Sequence, residues 1–281
     1  MNVKKDERNN IIYGAEYIPE NSKVNFVGTG NILYLESGVY LENAILNFNG
    51  SDSIIYIRGG NHKLNLNVSV NNQCTFAMGS NNYLNGRLNV IVSEQTSVCL
   101  GDNCVISFGI WIRTADPHLI YDVSNHKRIN PSKSVIIGDH VWIGQGALAL
   151  KGTYIGSGAI IGAASVVSGK KIPSNTVYAG NPVREVKRNV FWDGACVHSW
   201  TQTQTKKYEK YDENKWVFLD DRESIEPEHL QNQLRNALDA EARLAVIRNI
   251  YEENERSNSR FCIVEKQNSK ESIIGRMFKK S

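Results

Sequence analysis

The 281-residue sequence has little of what usually marks a function. Its charge is nearly balanced, with 32 Lys and Arg against 29 Asp and Glu and a formal net charge of +3. A nucleic-acid binder usually concentrates basic residues on one face, so that class is set aside. No apolar run approaches a membrane span, and the polar start "MNVKKDERNN" has no hydrophobic h-region. The expectation is a cytoplasmic protein without a secretory leader. It would touch a membrane at most peripherally, through the basic tail "NSKESIIGRMFKKS". The five cysteines are odd in number and lack metal-ligand spacing, which suggests a reducing compartment rather than a disulfide framework. No HxH or HxxxxH pair occurs among the six histidines. No metal is therefore expected, and a zinc-dependent hydratase falls away.

What is present is a beat. Stepping by six from Ile137 gives Ile143, Ala149, Ile155, Ile161 and Val167, and Pro173 ends the run. Two residues before each beat stand Val135, Val141, Ala147, Thr153, Ala159 and Ser165, all small or β-branched. Six is not a helical repeat, and the stretch is rich in Gly and β-branched residues. The period predicts a β-solenoid of triangular coils. The aliphatic beat points inward, the small residue two before it fills the remaining space, and the glycine after the beat turns the corner. Each coil takes about three beats and touches only its neighbours.

Upstream the beat loosens. Gly38, Gly59, Gly79 and Gly101 follow one another at intervals of 21, 20 and 22. Gly60-Asn61, Ser80-Asn81 and Asp102-Asn103 are expected as corners that tolerate left-handed backbone. Cys74 and Cys104 fall on the inward register as apolar fillers, and Cys99 on the outward one. The beat breaks after Ile112, and residues 113–133 form an excursion from the scaffold, where function is disproportionately found. The expected organisation is a lead-in over 1–30, the solenoid over 31–188 and an extension over 189–281. Within the extension, residues 226–255 suggest one helix. Its apolar face would carry Leu230, Leu234, Ala237, Leu238, Leu244, Ala245, Ile247 and Tyr251.

Residues Val135 to Arg188, with "TADPHLIYD" and "RINPS" before them, resemble the hexapeptide-repeat acyltransferases, and among these the acetyl-CoA-dependent O-acetyltransferases of sugars and surface polysaccharides. The resemblance covers roughly residues 100 to 190. It implies a mainly β fold, a left-handed parallel β-helix with a partly helical C-terminal extension. It also implies a homotrimer whose active sites lie between subunits, with acetyl-CoA along the coils and a glycan acceptor opposite.

On that resemblance His118 is the general base. A sugar hydroxyl needs one within hydrogen-bond reach, and an imidazole with a pKa near ~6.5 suits the task. Asp116 would orient the imidazole, bind the acceptor or cap the turn before Pro117. His126 and His140 are weaker candidates, and His140 occupies a corner slot that varies freely in such repeats. Trp142, just before a beat, projects outward. It is expected to face the His118 loop as a cleft wall, or else to fill a trimer interface. For acetyl-CoA the resemblance points to Trp142 and Gln145, the backbone N–H of Ala163, Ser168, Lys170, Pro182, Arg184 and Lys187. The "VSGKKIP" stretch is one residue longer than the family pattern, which leaves Lys170 or Lys171 as the CoA-facing lysine. Transfer would be direct, in a ternary complex, with an oxyanion held by backbone N–H groups. A covalent route through Cys99 has no nearby basic motif to support it. N-acetylation of an amino sugar or nucleotide-sugar is the alternative, and a non-catalytic solenoid is the reading from another class.

Overall fold

A computed structural model describes residues 1–253 and 260–264. The basic tail and the last two residues of the expected helix lie outside them. The chain winds as a left-handed parallel β-helix of about seven turns. Its strands fall into three sheets of nine, seven and six strands, the faces of a three-sided prism. From the loop onward the cycle is regular. Val135–Ile137 lies in the nine-stranded sheet, Trp142–Ile143 in the six-stranded and Leu148–Ala149 in the seven-stranded. The next coil repeats that order with Tyr154–Ile155, Ile160–Ile161 and Val166–Val167. Ile11–Tyr13 and Lys23–Phe26 already pair in parallel with later strands, so the coil stack reaches into the expected lead-in. Only two pairings between the named strands are antiparallel: Val3–Lys5 against Ile11–Tyr13 at the start, and Thr176–Ala179 against Arg184–Arg188 at the end.

The inward rows are the expected ones. Val135, Ile137, Val141, Ile143, Ala147, Ala149, Ile155, Ala159, Ile161 and Val167 are all buried in one core. Thr153 and Ser165 share that register because their hydroxyls are satisfied. Thr153 Oγ1 donates to the Val167 carbonyl at 3.0 Å, and Ser165 Oγ accepts from Gly180 N at 3.0 Å. Cys74 and Cys104 are buried in the same core.

The glycines do a different job from the one expected. A Cβ on Gly144 would sit 2.6 Å from the Ala163 nitrogen of the next coil, so the beat glycine lets coils approach. The left-handed residue comes two positions later, in a slot that recurs every six residues: His140 (φ 51°), Gly146 (68°), Gly152 (73°), Gly158 (73°) and Ala164 (54°). Upstream, Asn81 and Asn103 take that conformation as expected, whereas Asn61 is not among the positive-φ residues.

The extension also differs from expectation. In place of one helix there are two, α2 (Pro227–Asn236) and α3 (Ala240–Arg248), after a short α1 (Gln202–Lys207). A π-helical turn, Asn249–Glu253, follows. The break has a local cause: Asp239 accepts from Ala242 N at 2.8 Å and caps a new helix. The altered direction leaves Leu238 88% exposed and Ala245 at the surface. Arg243 takes a buried place instead, donating to the carbonyls of Asp52 at 3.1 Å and Ala237 at 2.9 Å.

These elements cover the nine-stranded face. Leu230, Leu234, Leu244, Ile247, Tyr251 and Phe261 form a second core with the outward row Ile54, Tyr56, Ala77, Cys99, Ile136 and Tyr154. Each fully buried large apolar side chain contributes roughly 1.5–3 kcal/mol. The path is a hairpin along the prism. Glu226 meets Lys171 in the last coils, and Glu241 meets the Tyr13 hydroxyl in the first. Ile263 N then returns to Ser174 Oγ at 3.0 Å. Arg260 secures the return by pairing with Asp102 and Asp139 at 2.7 and 2.5 Å.

Candidate active site

The excursion leaves the seven-stranded sheet after Trp111–Arg113 and rejoins the nine-stranded sheet at Val135–Ile137. It therefore stands on the prism edge between those two faces. Its stem closes through Lys133 N on the Thr114 carbonyl at 3.0 Å. Above the stem the chain folds on itself, with Tyr121 bridging Arg128 and Ile129 N donating to the Ile120 carbonyl at 2.9 Å.

A set of side-chain contacts fixes this loop. Asn130 is buried; its Nδ2 donates to the His118 carbonyl at 2.8 Å and to Asp116 Oδ2 at 3.1 Å, and its Oδ1 accepts from Ile120 N at 2.9 Å. Arg128 forks onto Glu94 of the preceding coil, with Nη1–Oε1 at 2.6 Å and Nη2–Oε2 at 2.9 Å. Ser132 Oγ joins the same carboxylate at 2.5 Å. Arg128 and then Ser132 hold the Glu94 carboxyl down at about 2. Lys151 pairs with Asp116 at 2.5 Å, and that contact, with Asn130, keeps the Asp116 carboxyl below its usual range.

The His118 main chain is thus tied down while its side chain is exposed. Among the described residues, no hydrogen bond joins the Asp116 carboxylate to the His118 ring. Asp116 serves the loop, through Lys151 and Asn130. Lys151, Asn130 and Glu94 were missed from sequence because they sit on three separate segments that only the coiling brings together. Asn130 lay within the quoted "RINPS" and was the one signal available.

Trp142 is outward and 42% exposed, on the six-stranded face between Val105 and Ile160. That face lies opposite the loop edge, so one copy of the chain does not bring Trp142 and His118 together. Gln145 and Ala163 are exposed on the edge between the six- and seven-stranded sheets, where Ala164 N donates to the Gln145 carbonyl at 2.7 Å. The Ala163 N–H itself has no acceptor among the described residues. One coil further, Gly180 continues that edge by accepting from Val166 N at 3.0 Å, and Pro182 follows. Arg184 and Lys187 are exposed on the last strand of the six-stranded sheet.

Ser168 and Lys170 lie instead on the loop edge, where Gly169 N donates to the Lys151 carbonyl at 3.1 Å. The two neighbouring lysines differ. Lys171 pairs with Glu226 of the extension at 2.9 Å, while Lys170 is exposed and has no ion pair among the described residues. Cys99 points outward as expected but lies buried under the extension, and burial pushes its thiol up to about 12. A thiol so placed is neither accessible nor ionised at neutral pH. Among the described residues no cluster of three or more His, Cys, Asp and Glu could hold a metal ion, and no helix is long and apolar enough to cross a membrane.

His140 proves less ordinary than its corner slot suggested. Its ring is buried between two tryptophans of the extension, Trp192 at 3.8 Å and 4° and Trp216 at 3.6 Å and 6°. Burial keeps its pKa below the usual imidazole value.

No family model matches the chain. The polysialic acid O-acetyltransferase of Escherichia coli O1:K1 is 34% identical over 90 residues, 32% of this chain and 29% of that protein. The polysialic acid O-acetyltransferase of Neisseria meningitidis is 32% identical over 97 residues, 34% of this chain and 45% of that protein. The chain thus aligns with less than half the length of these curated relatives. A crystal structure of the polysialic acid O-acetyltransferase OatWY superposes with a TM-score of 0.58 at 27% identity, covering 71% of this chain and 95% of that one. The chain is therefore a relative of the polysialic acid and other hexapeptide-repeat O-acetyltransferases and shares their β-helix.

Proposed function

We propose that the chain is an acetyl-CoA-dependent O-acetyltransferase of a bacterial surface glycan, acting as a homotrimer in the cytoplasm. The observation that carries the reading is His118: its main chain is pinned by Asn130 on a braced loop, and its side chain is left open. A general base needs that combination of fixed position and free nitrogen.

Acetyl-CoA, when bound, supplies the thioester. Residues along the coils suit it. The free N–H of Ala163 is a donor for the pantetheine arm, Arg184 and Lys187 supply positive charge for its phosphates, and the unpaired Lys170 would add to it from the loop edge of a second copy. Gln145 and Pro182 mark the edge along which it would lie, with Ser168 near Lys170. The imidazole of His118 takes the proton from the acceptor hydroxyl. The oxygen forms its bond to the acetyl carbon as the carbon–sulfur bond breaks, and the imidazolium returns the proton to the sulfur. Asp116 holds the loop through Lys151. The separation of His118 from Trp142 within one chain favours a trimer, because a second copy would bring its loop edge to the first copy's Trp142 face.

The test is acetyl transfer from acetyl-CoA to a panel of oligosaccharides that includes oligosialic acid. Base-labile product acetate separates O- from N-acetylation. Full activity of His118→Ala removes the base. Absence of any CoA-induced thermal shift favours the non-catalytic solenoid.

A further inference from the structure

The extension reaches the six-stranded face as well as the nine-stranded one. Trp216, His140 and Trp192 stack almost parallel. Lys215 lies over the outer ring, its Nζ 4.5 Å from the Trp216 centroid. Trp142 lies at the other end, its ring 6.0 Å from Trp192 and inclined by 50°. The stack is held by main-chain bonds as well as ring contact. Trp192 Nε1 donates to the His140 carbonyl at 3.0 Å, and His140 Nε2 meets the Trp192 carbonyl at 3.0 Å. A carbonyl only accepts, so the proton is assigned to Nε2. Asn175, two coils on from His140, donates to the Trp216 carbonyl at 2.9 Å.

The arrangement costs something. His140 Nδ1 is buried without a hydrogen-bond partner among the described residues, and His140 holds a left-handed backbone at φ 51°. Such a backbone disfavours any residue with a Cβ, and a glycine, which fills the same slot at 146, 152 and 158, would avoid both. Trp192 is buried although it sits beside the half-exposed Trp142. The first gives the second a rigid wall on its inner side.

We infer that Trp192 is a positioning residue for Trp142: the extension's ring stack, locked to His140, fixes the orientation of the cleft tryptophan. This rests on the proposed role of Trp142 in the reacting cleft. It assigns the extension a part in the site, beyond covering the nine-stranded sheet.

A double-mutant cycle tests it, with acetyl-CoA and oligosialic acid as substrates. Trp192→Leu is expected to lower kcat/KM about 10-fold, which corresponds to about 1.4 kcal/mol. Trp192→Phe keeps a ring against Trp142 and restores most of that loss. In a Trp142→Ala background, Trp192→Leu has no further effect. An equal loss in both backgrounds overturns the inference, because Trp192 would then act through general stability. If the Leu variant does not fold, Trp216→Phe in the two backgrounds reads the same coupling from the far end of the stack. Full activity of Trp142→Ala removes the underlying reading of Trp142 instead. The ring contact is then scored by near-ultraviolet circular dichroism of the two single variants and the double. Non-additive loss of the tryptophan signal supports it, and additive loss overturns it.

Discussion

Two faces of the prism use the same strand geometry for opposite ends. On the nine-stranded face whole strands are buried, as in Ile54–Ile57, Thr75–Met78 and Ser97–Leu100. On the seven-stranded face burial alternates, as in Leu66–Val70 and Leu88–Val92. The alternate positions there are polar and pair along the stack: Asn25 Nδ2 donates to Asn47 Oδ1 at 2.8 Å, and Asn67 Nδ2 to Asn89 Oδ1 at 3.1 Å. A sheet covered on both sides runs continuously apolar, whereas one with a solvated side alternates. The covered face stores stability, and the open faces and their edges are left for chemistry.

Substitutions can break that division. The largest expected effect is on activity alone: His118→Ala lowers the rate about 1,000-fold, within the range of general-base removal. Its melting temperature stays at the parent value, because the ring touches little. A second experiment compares two outward residues. Ile54→Ala, under the extension, costs about 3 kcal/mol by denaturant titration, as a buried truncation does. Asn67→Ala, on the open face, costs about 0.5–1 kcal/mol for a partly exposed hydrogen bond. Equal costs would mean that the extension covers the face without stabilising it.

Glu94→Gln weakens the Arg128 brace and lowers activity about 10-fold through a looser loop. Exposed ion pairs carry little stability, so the melting curve moves little. Acid acts on the same brace. Because the folded carboxyl titrates at about 2, below its ordinary range, its contribution is complete above that ordinary range and is lost as pH falls toward about 2.

His140 gives a smaller titration of the same sign, at higher pH. Burial lowers its pKa, so below about 6.5 the unfolded chain takes up a proton that the folded chain resists. Stability should fall from neutral pH toward pH 5, with a shallower slope in His140→Asn. The smallest effect is a count: a thiol reagent added to the native protein should label Cys196 alone, since Cys74, Cys99, Cys104 and Cys262 are buried.

The six-residue beat made the inner core legible because every inward position repeats one steric demand. The candidate loop was visible as an interruption of that beat. The cover on the nine-stranded face left a trace in "SIIYI" and "TFAM", which are apolar without alternation, beside the alternating "LNVSV". Such runs say that something covers a strand, and what covers it sits more than 100 residues away, in α2 and α3. The stack on His140 was hidden for the same reason. Its corner slot asks only for a left-handed backbone, and its partners Trp192 and Trp216 come from the extension.

The two antiparallel reversals at the ends of the prism limit its growth. A parallel stack is a template, and its last coil offers the hydrogen-bonding pattern that any further coil would use, including one from another molecule. On one sheet at each end the chain doubles back to occupy that pattern itself. The closing strands are Val3–Lys5 and Arg184–Arg188, with sequences "VKK" and "REVKR". Their edges present dense charge to any strand that would add on. The tips are thus partly protected against fibre formation, while the uncovered seven-stranded side stays free for lateral assembly.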